Sequence, residues 1–138
     1  MGKQVQDVMT ANPVTVSRTD TVIAAARLME SADVGSVPVV DGGTPVGIVT
    51  DRDIAIRVVA QAKDPIQTTV GEIATGQPYY ASPDQDLDEV LELMAFRKVR
   101  RVPVVEDGLL VGMLAQADVV HEVKEKKAAH VIDEISQP

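Results

Sequence analysis

The chain has 138 residues and a mass of 14.7 kDa, which suits one compact core and excludes multidomain machinery. Apolar residues make up 45% and charged residues 25%, the balance of a globular protein rather than a disordered or fibrous one. Thirteen Lys and Arg against 21 Asp and Glu leave a formal charge of -8, so the average surface repels nucleic-acid backbones and anionic lipid, and an anionic ligand needs a local cluster of cations.

In chain order, the opening MGKQVQDVMT holds no apolar leader. No apolar run nears the roughly 18 residues that cross a bilayer, so a cytoplasmic protein with no membrane and no nucleic-acid partner is expected. VQDVM reads as a helical turn, and VTV after Pro13 as a short strand. Ser17 to Asp20 has the spacing of a capping box, so a helix is expected straight after it. Val22, Ala25, Ala26 and Met29 supply its buried stripe at 3.6-residue spacing. VPVV and PVGIV, joined by Asp41-Gly42-Gly43, read as a tight β-hairpin, and a second helix is expected from about Asp51.

The same order then returns. Shifting the sequence by 65 positions aligns it with itself without a gap from Val5 to Val58, matching Pro13 with Pro78, Met29 with Met94, Pro38 with Pro103, Gly47 with Gly112 and Asp53 with Asp118. In the second copy Ser82-Pro83 with Gln85 repeats the helix-start signal, and Asp107-Gly108 the hairpin turn. The expected organisation is a first repeat over 5–61, a linker over 62–69, a second repeat over 70–126 and a helical tail over 127–138. The expected fold is of mixed α/β (α+β) class: two β-α-β-β-α repeats related by a pseudo-twofold axis, sheet packed against sheet, with two related clefts between them.

The duplicated order, the VPVV opening of each hairpin and Gly47-Ile48-Val49-Thr50-Asp51-Arg52-Asp53 resemble the cystathionine β-synthase (CBS) domain, and two tandem copies resemble a Bateman module. The similarity spans nearly the whole chain and is strongest to bacterial stand-alone pairs. It implies a regulatory module without catalysis or cofactor that binds an adenosine-containing ligand, of the AMP, ADP, ATP or S-adenosylmethionine type, between the repeats. It further implies a disc-like homodimer and an unidentified protein target.

Carried over by motif, Asp53 would bond ribose hydroxyls and Thr50 ribose or phosphate. The same pair reads equally as a capping box that needs no ligand. Asp118 keeps the acid in the second copy, but Ala115 replaces the hydroxyl, so unequal clefts are expected. The cation cluster is Arg97, Lys98, Arg100 and Arg101. Arg100 and Arg101 fall where related proteins contact phosphate, and paired guanidinium hydrogen bonds suit that role. The alternative is a solvated patch pairing with Glu89, Glu92 or Glu106. Ser36, matching Arg101 in the first copy, and Tyr80, as a surface for a base, complete the candidate set, although core packing is the favoured role for Tyr79 or Tyr80 taken singly.

With no Cys, disulfides and thiolate chemistry are excluded. His121 and His130 are nine residues apart, on different faces of a helix, and a shared metal is not expected. An enzyme finds little support, because no nucleophile, base and orienting group stand out together. An interaction protein with vestigial clefts is the alternative function.

Overall fold

Each half of the chain alternates between helical and extended periods, and the computed structural model, which describes residues 2–76 and 79–120, follows that alternation. The first half comprises a helical turn at Val5–Asp7, β1 (Thr10–Ala11), β2 (Val16–Ser17), α1 (Val22–Ala32), β3 (Ser36–Asp41), β4 (Thr44–Thr50) and α2 (Asp51–Ile54). α2 continues into a π-helical turn over Ala55–Val59. The second half comprises α3 (Val70–Ile73), α4 (Leu87–Arg97), β5 (Arg101–Glu106) and β6 (Leu109–Ala115), after which residues 116–120 are helical. The expected tail over 127–138, with His121 and His130, lies outside the described residues.

Both hairpins form as their turn residues require: Gly42, Gly43, Asp107 and Gly108 all adopt positive φ. β3 pairs antiparallel with β4 and β5 with β6, and each hairpin shifts register at the matching place, Val39/Val40 and Val104/Val105. The hairpin turns meet each other, Leu110 N–H donating to the Gly43 carbonyl at 3.0 Å and the Thr44 hydroxyl to the Gly108 carbonyl at 2.9 Å.

The two three-stranded sheets are β2-β3-β4 and β1-β6-β5, so β1 leaves its own half and joins the hairpin of the other. The second half answers with a bridge from Thr75 to Ile48, the residues that match Thr10 and Met113 across the repeat. The opening turns cross in the same way. Val5 is fully buried in the core of the second half, with Val90, Val102 and Leu114, while Val70 and Ile73 are buried in the core of the first, with Val22, Val37 and Val49. Each core is therefore closed by residues from the opposite half.

The helices follow the capping turns. Ser17–Asp20 closes a turn, Ser17 N–H donating to Asp20 Oδ2 at 2.8 Å, and α1 begins at Val22, capped by the Thr21 hydroxyl. In the second half Ser82 N–H donates to Gln85 Oε1 at 3.1 Å, and α4 starts at Leu87 behind Asp86. Both turns are also held from across the interface, the Asp20 carbonyl accepting from Val70 N–H at 2.8 Å and the Gln85 carbonyl from Val5 N–H at 2.9 Å.

Candidate functional site

β4 ends at Thr50, and the turn of backbone into α2 is held by a reciprocal cap. Asp53 N–H donates to the Thr50 hydroxyl at 3.0 Å, and Thr50 N–H donates to Asp53 Oδ2 at 2.9 Å. The helix start is anchored further by Asp51 N–H on the Gly35 carbonyl at 2.9 Å. The other carboxylate oxygen of Asp53 stands 3.9 Å from Arg57 Nε, and Arg57 also donates from Nη1 to the Ile73 carbonyl at 2.7 Å. Arg57, on the π-helical turn, thus joins the carboxylate to the α3 segment that crosses from the second half. A carboxylate has about four acceptor directions, so the cap and the ion pair leave Asp53 capacity for a ligand hydroxyl.

Thr50 and Asp53 line a cleft of about 290 Å³ together with Ile48, Thr75, Val99, Arg100 and Arg101. Ile48, Thr50 and Asp53 come from the first repeat, and Thr75, Val99 and the two arginines from the second. A second cleft, of about 490 Å³, is lined by the matching residues Met113, Ala115, Asp118, Thr10, Val34, Gly35 and Ser36, with Asn12, Pro13, Val14, Ala32, Pro38 and Arg101 added. Both are close to or within the size of small-ligand sites, roughly 300–1,000 Å³. The two differ in the charge of their linings. Where the first has a hydroxyl and two arginines, the second has Ala115, Gly35 and Ser36, and Arg101 is its only lining cation among the described residues.

Six of the seven candidate residues line these clefts: Thr50, Asp53, Arg100 and Arg101 the first, and Ser36, Asp118 and again Arg101 the second. Tyr80 lines neither, and its hydroxyl donates to the Pro45 carbonyl at 2.9 Å. Tyr79 packs against the second core, where burial pushes its phenol above the ordinary value, opposed by a hydrogen bond with Gln85. Arg97 lies 5.8 Å from the Tyr79 ring centroid, a cation–π contact rather than a ligand position. Lys98 ends α4 in the left-handed conformation, and Arg52 is exposed outside both clefts. Thr10, Thr75 and Arg57 were not singled out by sequence. Thr10 and Thr75 do match across the repeat, but nothing in the pattern says that each crosses to the other half.

A larger groove of about 540 Å³ lies between α4 and residues 116–120, lined by Leu91, Met94, Val99 and Val119 among others. Among the described residues no three His, Cys, Asp or Glu are grouped to hold a metal ion, and no helix is long and apolar enough to cross a membrane.

Comparison with known proteins matches the CBS domain model to residues 5–60 and 70–125. The chain is 38% identical over 133 residues to the CBS domain-containing protein YhcV of Bacillus subtilis, covering 96% of this chain and 94% of that one. It is 34% identical over 134 residues to hypoxic response protein 1 of Mycobacterium tuberculosis, with the same coverage. A crystal structure of hypoxic response protein I with two coordinated zinc ions superposes with a TM-score of 0.77 at 36% identity, over 86% of this chain and 98% of that one. The CBS domain pair of protein MJ0100, in complex with 5′-methylthioadenosine and S-adenosyl-L-methionine, gives a TM-score of 0.80 at 30% identity, over 91% and 99% of the two chains.

Proposed function

Because the chain belongs to the CBS-domain family and is a regulatory pair of such repeats, we propose that it senses an adenosine-containing ligand bound between them, principally in the cleft of Thr50 and Asp53. The observation that carries this reading is the meeting, in one cleft, of a hydroxyl and carboxylate from one repeat with two arginines from the other. A carboxylate suits a ribose diol, and paired guanidinium groups suit a phosphate, on a chain whose net charge of -8 would otherwise oppose an anion. The solved MJ0100 pair, with two adenosine derivatives bound, supports the ligand class.

On this reading Asp53 and Thr50 hold the ribose, Arg100 and Arg101 the phosphate, and Asp118 with Ser36 a weaker second site. The chain carries out no reaction and passes its ligand state to a protein target, as a cytoplasmic homodimer. Exposed apolar side chains, Ile56, Val59 and Phe96 among them, are consistent with such association.

A thermal-shift series with AMP, ADP, ATP and S-adenosylmethionine tests the reading. At concentrations well above Kd at least one should raise Tm by mass action, and Asp53→Ala should reduce the shift. A flat response to all four would favour an interaction module with vestigial clefts.

A further inference from the structure

Arg101 opens β5 on the boundary between the two clefts and lines both of them. In the first it stands with Thr50, Asp53 and Arg100, and in the second with Ser36, Ala115 and Asp118. Arg100 lines the first of these and not the second. The first repeat has Gly35 and Ser36 where the second has the two arginines, so it returns no cation to the second cleft. One guanidinium grips one phosphate at a time in the paired geometry that makes the contact strong.

We propose, resting on the binding reading above, that Arg101 is a shared contact that couples the clefts negatively for phosphorylated ligands. A phosphate in the first cleft draws the guanidinium to itself. The second cleft is then left with the Asp118 carboxylate and no lining cation among the described residues, a setting that disfavours an anion and accepts an uncharged or cationic nucleoside. Binding free energies couple reciprocally, so a phosphate held in the second cleft weakens the first by the same factor. The pair is thereby built to hold one phosphorylated ligand, with a ligand of a different charge class beside it.

Calorimetric titration with AMP and with adenosine tests the coupling. In Asp53→Ala, where the first cleft is disabled, AMP should bind the second cleft at least about fivefold more tightly than it does in the wild type with the first cleft filled, while adenosine shows no such difference. Asp53→Asn, which keeps an oxygen for the Thr50 N–H, replaces the alanine variant if loss of the cap unfolds α2. In the Arg101→Gln background the AMP difference should vanish, and in Arg100→Gln it should persist. Equal second-cleft affinities, or a difference that survives Arg101→Gln, would overturn the coupling and leave the binding reading standing. Absence of binding by either ligand would overturn both.

Discussion

Asp53 divides its carboxylate between two tasks. One oxygen accepts the Thr50 N–H as half of a helix cap, and the group as a whole lines the cleft with Arg100 and Arg101. The two readings of Thr50-x-x-Asp53 that the sequence left open are thus compatible: the cap is formed, and it holds the acid at the cleft wall. Asp53→Ala should therefore cost about 1 kcal/mol without any ligand, measured by urea denaturation, and also weaken binding, whereas Asp53→Asn should keep most of the stability and lose ligand affinity. Arg100 and Arg101 were legible because the sequence concentrates cations beside a hairpin on an acidic chain. Tyr80 was not. Strand alternation says that Tyr79 and Tyr80 face opposite ways but not which way each faces, and only the packed structure puts Tyr79 on the core and the Tyr80 hydroxyl on Pro45.

Among the elements, the hairpins and the helix stripes could be read directly from their periods. The crossing of β1, α3 and the opening turn could not, since two-residue strands carry no period and the partner of a single turn has no sequence signal. Gly47 marks the crossing in retrospect: a Cβ there would lie 2.7 Å from the Thr75 carbonyl, which is held by Ile48. Gly47→Ala should destabilise the fold by about 2 kcal/mol, seen as a lower denaturant midpoint, because the obstacle is backbone and the strand must move. Arg57→Met, which breaks the tie from the π-helical turn to the Ile73 carbonyl, should cost about 1 kcal/mol in the same assay. Glu72 caps α3 by accepting from Thr69 N–H at 2.6 Å and from its hydroxyl at 3.0 Å, and these bonds lower its carboxyl pKa. A lowered folded-state pKa gives a contribution that is full above the unfolded glutamate range and fades as pH falls through the folded value. Acid titration of stability should therefore show a smaller loss in Glu72→Gln than in the wild type.

At the scale of the whole molecule, the exchange of opening turns makes the repeats mutually dependent. Val5 and Val70 are both fully inaccessible to solvent, and each completes the core of the half to which it does not belong. Scanning calorimetry of the intact chain should accordingly show one transition whose calorimetric and van't Hoff enthalpies agree, whereas two resolved transitions would show that the repeats unfold separately. The same arrangement brings the acid of one repeat to the cations of the other, and the 65-residue offset made that pairing of clefts, and their inequality at Ala115, visible in the sequence. A crystal structure of the AMP complex tests the central claim most directly. The account predicts the ribose hydroxyls on the Asp53 carboxylate and the phosphate within hydrogen-bond distance of Arg100 or Arg101, and it is contradicted if AMP binds elsewhere or if both arginines stand clear of the phosphate.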